Sequence, residues 1–249
     1  MNTPLALVTG GASGVGKETV ELLLKEGAYV AFGDIDVPAG EALAKACGDR
    51  ALFLRHDVSN ETEWQQVIAK VQSHFGPLDI LINNAGILLP GSIETATLAQ
   101  FRQLMQVNAD SCFLGCQQGV AAMKERGGSI VNMASVSTWL PIEGYAGYSA
   151  SKAAVAALTR ATALYCRKNG LAIRVNSLHP DGIYTPMMQA SAPGVPAKYL
   201  LFDPKVNPKG RAIMPEHIAK VLLFLASDDS MAISGAEIRA DSAILGMGL

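Results

Sequence analysis

Short apolar runs closed by glycine or asparagine alternate along this chain with longer stretches whose apolar residues recur at helical spacing. Residues 5–8 run directly into glycines, and residues 17–26 follow with Val20, Leu22, Leu23 and Leu24 before Gly27. A short unbroken apolar run reads as a strand buried on both faces, and a glycine just past a periodic segment reads as a helix stop. The pair repeats. Further strands are predicted at 29–32, 51–54, 80–82, 129–132 and 173–177, with helices at 39–46, 64–75, 98–120 and 150–168 between them. This alternation predicts right-handed crossovers and a parallel sheet covered by helices on both faces, an α/β, doubly wound fold in one domain over 1–249. The rhythm breaks at about 181–211, where prolines stand at 186, 193, 196, 204 and 208. So long a connection, directly after a strand end, predicts a substrate-binding loop. The pattern resumes with a helix at 216–226 and a last strand near 236–240.

Sheets of this kind bind ligands outside the carboxyl ends of their strands, where strand order reverses. The first such turn is Thr9-Gly10-Gly11-Ala12-Ser13-Gly14-Val15-Gly16. Its glycines permit a tight turn and let backbone N–H groups approach a pyrophosphate at a helix N-terminus. Asp34 closes the second strand, where a carboxylate accepts hydrogen bonds from both hydroxyls of an adenine ribose; alone it would read as a solvated turn residue. The two together predict a Rossmann-type dinucleotide site. Gly11 to Lys17 also fits the GxxxxGK of a phosphate-binding P-loop, but the next residue is Glu18, where that loop needs a Ser or Thr to hold magnesium.

Composition narrows the picture. With 249 residues, 49% of them hydrophobic and 17% charged, the chain supports a sizeable core and no disordered region. A net charge of −2 with both signs interleaved offers no basic stripe for nucleic acid. No apolar run approaches the ~18 residues of a membrane span, and the N-terminus lacks the pattern of a signal peptide, so the expected location is cytoplasmic. The four cysteines, at 47, 112, 116 and 166, show no CxxC spacing. Cys112 and Cys116 could share a helical face, yet without a His or a second pair they read as buried thiols and not metal ligands.

The remaining chemistry centres on Tyr148 and Lys152, which share a helical face at i,i+4, with Ser135 upstream. If the two also share a cleft with a bound cofactor, the ammonium favours the phenolate: at an effective dielectric of ~20 a charge ~4 Å away is worth ~4 kcal/mol, roughly three pKa units, which would bring Tyr148 toward neutral pH.

With the glycine turn ending at Gly16, Asn83-Asn84-Ala85-Gly86, Ser135, Tyr148-x-x-x-Lys152 and the proline turn at Pro180, the chain resembles the short-chain dehydrogenase/reductase family over essentially its whole length. The resemblance implies a secondary-alcohol dehydrogenase in which hydride moves between the carbinol carbon and nicotinamide C4 while Tyr148 handles the proton. Lys152 would lower the tyrosine's pKa and hold the nicotinamide ribose, Ser135 would bond the reacting oxygen, and Asn108 would support a water beyond Lys152. For the cofactor it implies contacts from Gly10, Ser13, Gly14, Val15, Gly16 and Asp34, from Asp57 and Val58 at the adenine, and from Asn84, Ala85 and Gly86. Pro180, Ile183 and Thr185, with Tyr148 and Lys152, would complete the nicotinamide end. NAD is expected over NADP, since neither Ser13 nor Ile35 is basic. No metal is called for. Asp181 departs from the glycine that members usually carry after this proline, and His179, a lone histidine before proline, reads as structural.

Within the family, residues 132–143, 179–188 and 244–249 are similar to bacterial 3β/17β-hydroxysteroid dehydrogenases. A pocket wall drawn from Leu88, Leu89, Trp139, Leu140, Tyr184, Met187 and Met188 carries no charge and suits a bulky neutral alcohol or ketone. Smaller alicyclic alcohols, or a silent NAD sensor on the same fold, are the alternatives. Helices in the 104–122 and 150–168 regions are apolar on more than one side and, with an apolar terminus, imply the family's homotetramer.

Overall fold

The structure, a computed structural model, describes residues 3–191 and 193–246. Seven parallel strands form one sheet: β1 Leu5–Thr9, β2 Tyr29–Asp34, β3 Ala51–Arg55, β4 Ile80–Asn83, β5 Gly128–Met133, β6 Ile173–Pro180 and β9 Glu237–Ala240, with two short strands, β7 Gly182–Ile183 and β8 Ala212–Ile213, outside it. Their order across the sheet is β3-β2-β1-β4-β5-β6-β9. Order reverses between β1 and β4, and there the carboxyl ends of neighbouring strands splay apart into a crevice.

Alternation along each strand builds two cores. Leu5 and Leu7 of β1 face helices α3 (Glu61–Phe75), α5 (Ser111–Met123) and α6 (Ala146–Lys168), in a cluster with Trp64, Leu81, Ile130 and Val175. Ala6 and Val8 face α1 (Gly14–Lys25), α2 (Val37–Cys47) and α9 (Pro215–Ala226), in a second cluster with Val20, Phe32, Ile82 and Leu222. A side chain of this size contributes about 1.5–3 kcal/mol when fully buried, so both faces must be covered. Among the described residues no helix is long and apolar enough to cross a membrane.

Two predicted elements come out differently. The helix expected over 98–120 is α4 (Leu98–Leu104), a π-helical turn over Met105–Asp110, and then α5. A π turn inserts an extra residue and rotates the apolar stripe by about 100°, a phase shift that two short flanking segments are too brief to display. The stretch 181–211 is not irregular: β7 (Gly182–Ile183) pairs in parallel with β8 (Ala212–Ile213), and α7 (Pro186–Ser191) and α8 (Ala197–Leu200) lie between them. Pro186 opens α7 and Pro196 precedes α8, positions where a fixed φ and a missing N–H cost a helix nothing. The C-terminal run 244–249 lies partly outside the described residues.

Candidate active site

The groups singled out from sequence gather at the carboxyl ends of the strands and on the helices that follow them. At the glycine turn, Gly10 has φ +63° and Gly14 φ +52°. A Cβ on Gly10 would sit 2.9 Å from Ala85 Cα, and one on Gly16 would run into the Gly10 carbonyl. Ser13 precedes α1 in extended conformation with no side-chain cap, and the helix's first turn holds no acidic residue, which leaves its N–H groups and positive dipole end free for an anion. Asn84 Nδ2 donates to the carbonyls of Thr9 (3.0 Å) and Gly10 (3.1 Å), while Thr9 Oγ1 accepts from the N–H groups of Asn84 and Ala85. These bonds lock β4 to the glycine turn. Asn83 instead faces inward and donates to Asn132 Oδ1 at 2.8 Å, a core position and not a cleft one.

Asp34 stands at the rim of this turn. One carboxylate oxygen accepts the Ala12 N–H (3.0 Å), the other the Asp36 N–H (3.0 Å). Farther along, the Asp57 carboxylate accepts from both the hydroxyl and the N–H of Ser59, which with nearby Arg55 hold it below the usual carboxylate range. Val58 is buried, and its carbonyl takes the Trp64 indole N–H at 2.8 Å.

The other half of the site is built on β5, β6 and α6. Ser135 follows β5 and is buried; its hydroxyl accepts the Ser137 N–H at 3.1 Å. Tyr148 is half-buried in the first turns of α6. One turn on, Lys152 is 4% exposed, its Nζ donating to the Met133 carbonyl at 2.8 Å and lying 5.8 Å from the Tyr148 ring centroid. A Cβ on Gly86 would meet both Asn108 Oδ1 and Lys152 Nζ, so the glycine lets β4's extension pass close over the lysine. Asn108 lies in the π turn: its amide oxygen accepts from Ile87 N–H (2.8 Å) and its Nδ2 donates to the Ile87 carbonyl and to Ser151 Oγ, both at 3.0 Å. Ile183 and Thr185 are half-buried, and Thr185 Cγ2 packs against Gly14. The nicotinamide-end candidates thereby reach the glycine turn.

Burial dominates the ionisation of this pair. Burial raises Tyr148 above the ordinary phenol value, with Ser135 acting the other way, and no depression by Lys152 offsets it. The lysine's ammonium points to the Met133 carbonyl, and burial lowers Lys152 itself to about 8. In this arrangement desolvation is the largest influence on both groups.

His179 is more embedded than its sequence context shows. It is fully buried; Nδ1 lies 3.1 Å from the Ser135 carbonyl, Nε2 lies 2.8 Å from Ser177 Oγ, and its ring stacks on Trp139 at 4.4 Å. Burial lowers it to about 4, so it is neutral near pH 7. Sequence reasoning also missed Ser151 and Arg211, whose bonds to Asn108 and Asp181 join residues distant along the chain. For Arg211 a signal existed in the unusual Asp181, which wanted a cation. Cys112 and Cys116 are buried free thiols beneath the site. A groove of about 1640 Å³ lies at the opposite end of the sheet, among strand starts such as Pro4, Gly128 and Ile173, away from all of this chemistry.

A glycine cradle at the β1–α1 turn, a carboxylate at the end of β2 and a serine, tyrosine and lysine beside the same crevice define a Rossmann-type dehydrogenase. The chain belongs to the short-chain dehydrogenase/reductase family. Residues 10–243 match the family profile described as enoyl-(acyl carrier protein) reductase. The chain is 66% identical to a 3-beta-hydroxysteroid dehydrogenase of Comamonas testosteroni over 246 residues, 98% of this chain and 97% of the relative. It is 39% identical to a 3-alpha-(or 20-beta)-hydroxysteroid dehydrogenase of Mycobacterium tuberculosis over 238 residues, 95% of this chain and 87% of the relative. It is 34% identical to an NADP-dependent (R)-specific alcohol dehydrogenase of Lentilactobacillus kefiri, over 95% of this chain and 94% of that one. The protein is therefore an oxidoreductase of the alcohol dehydrogenase type, interconverting a secondary alcohol and a ketone with a nicotinamide cofactor.

Proposed function

We propose that the protein is an NAD-dependent hydroxysteroid dehydrogenase acting on a 3β- or 17β-hydroxyl group, as a homotetramer in the cytoplasm. The observation that carries the substrate class is Trp139, 42% exposed and stacked on the histidine that touches the Ser135 carbonyl. It sets an apolar plate beside the serine. The hydroxysteroid activity named for the 66% identical relative supports the same reading. Leu88 and Leu89 extend the wall: their segment runs from Ile87, clamped by Asn108, to Gly91, whose N–H donates to the Gly144 carbonyl ahead of α6.

The cradle at Gly10, Gly14 and Gly16, each closed to a Cβ by backbone or by Thr185, fits a dinucleotide pyrophosphate. These residues would hold the dinucleotide, whose nicotinamide would supply the hydride-transfer chemistry. Asp34 supports NAD over NADP, because its carboxylate suits ribose hydroxyls and repels a 2′-phosphate, with no basic side chain at Ser13 or Ile35 to offset that. The relative from Lentilactobacillus kefiri is named NADP-dependent, so the choice in this chain rests on these positions.

In alcohol oxidation Tyr148 Oη takes the hydroxyl proton, and in reduction it returns it. Ser135 Oγ bonds the same oxygen and stabilises the charge that develops on it. Lys152 holds the ribose and passes the proton on. The Asn108 side chain is held in place by Ile87 and Ser151, which supports its role in the relay beyond Lys152. Assembly is supported by exposed apolar side chains on the helices expected to pair: Phe113 on α5, Leu164 and Tyr165 on α6; residues 247–249 of the apolar terminus lie outside the described residues. Steady-state kcat/KM values test the whole reading, with 3β- and 17β-hydroxysteroids against cyclohexanol and NAD⁺ against NADP⁺. We expect at least about a tenfold preference for steroid and for NAD⁺. Better turnover of cyclohexanol sinks the steroid assignment, and equal use of NADP⁺ sinks the NAD assignment, each alone.

A further inference from the structure

Members of this family usually carry glycine after the proline that ends β6, and here Asp181 takes that place. Its side chain is 9% exposed and is gripped at both oxygens by one guanidinium: Arg211 Nε donates to Oδ2 and Nη2 to Oδ1, each at 2.8 Å. Asp181 is where the chain leaves the sheet, its N–H donating to the Ala240 carbonyl at the end of β9, and Arg211 is where the chain returns, one residue before β8. Between these two points run Ile183, Thr185 and the apolar residues Tyr184, Met187 and Met188.

Backbone pairing at this base is slight. The ladder of β7 on β8 joins only Gly182 to Ala212 and Ile183 to Ile213, extended by the Tyr184 N–H on the Ile213 carbonyl and the Phe202 N–H on the Ala212 carbonyl. A two-residue ladder is marginal by itself. A bidentate arginine–carboxylate pair with one partner largely out of water is much stronger than an ordinary surface ion pair, and it fixes orientation as well as distance. We propose that Asp181 and Arg211 are a positioning clamp that closes the base of the substrate loop and thereby determines how tightly a bulky alcohol is held.

The inference rests on the reading of this loop as substrate-binding and deepens it. Neither residue reaches the reacting atoms in the proposed site, so the clamp acts on substrate affinity more than on the chemical step. The full-length protein provides two independent readouts. The first is the rate of native-state tryptic cleavage at Lys198, Lys205 and Lys209, which needs no substrate. The second is KM and kcat for the bulkiest secondary alcohol accepted and for cyclohexanol. In Asp181→Asn and in Arg211→Gln we expect cleavage at least about fivefold faster and KM for the bulky alcohol at least about fivefold higher, with kcat and the cyclohexanol KM within about twofold. Arg211→Lys keeps the charge but loses the fork and falls between. The exchanged pair, D181R with R211D, recovers most of both losses. Either readout staying within twofold of wild type in both single variants overturns the clamp. If wild-type protein rejects steroids but the variants still lose affinity for the alcohol it does accept, the steroid assignment fails and the clamp stands.

Discussion

The two halves of the crevice are made differently. On the β1 and β4 side, backbone forms the site: glycines with positive φ, uncapped N–H groups at α1 and carbonyls locked by Asn84. On the β5 and β6 side, side chains form it, and each is desolvated: Ser135, Lys152, Asn108 and His179 are all buried. Backbone suits a charged pyrophosphate that is held but not transformed, because N–H groups bring polarity without titration. Side chains are required where a proton moves, and burial then shifts their ionisation. Each half also contains a buried neutral histidine. His179, in the proposed catalytic half, has a partner on each ring nitrogen; His56, in the proposed cofactor half, has none among the described residues and rests edge-on against Trp64 at 4.6 Å.

The contrast is broken most directly at Tyr148. Tyr148→Phe should cut kcat by at least about a hundredfold while NAD⁺ affinity, measured by titration, stays unchanged; near-normal turnover would mean another group carries the proton. Because burial raises this phenol, alcohol oxidation should also keep climbing with pH into the alkaline range, and a flat profile from about pH 6 to 10 would remove Tyr148 as the controlling base.

Acid should weaken both halves. His56 and His179 are each held to about 4 in the fold against an ordinary 6.5, with desolvation the main cause. The unfolded chain therefore binds more protons between those values, so stability is whole above pH 6.5 and is lost as pH falls toward 4. Between pH 7 and 5 the loss is about 2 kcal/mol for each histidine. Denaturant titrations at the two pH values measure it, and His56→Gln or His179→Gln should each remove one share; a loss unaltered in both variants would assign it to other groups.

Gly14→Ala probes the cofactor half alone. A left-handed conformation costs an L-residue about 1–2 kcal/mol, and the new methyl would also crowd Thr185. NAD⁺ binding should weaken about tenfold with kcat at saturating NAD⁺ nearly unchanged, and a matching loss in kcat would show that the halves are not separable. The smallest effect is expected at Glu143, exposed in the segment just before α6. Glu143→Ala should move KM for bulky substrates by about threefold and leave NAD⁺ affinity within about twofold; a change confined to NAD⁺ would place it at the cofactor instead.

Period and punctuation in the sequence determined the alternating strands and helices and pointed to the glycine turn and Asp34, because each depends on local spacing or on a residue type with one conformational use; Ser135, Tyr148 and Lys152 stood out as a set only through the family resemblance. Local spacing could not reveal the π turn that holds Asn108, since the phase shift of about 100° that it causes falls between two segments too short to display it. Nor could it reveal the partners of Asn108, His179 and Asp181, which lie on other elements and meet only when the sheet closes. The sign of the Tyr148 shift was decided in three dimensions as well: sequence spacing brings the lysine near the tyrosine, but depth of burial and the Met133 carbonyl determine where its charge points.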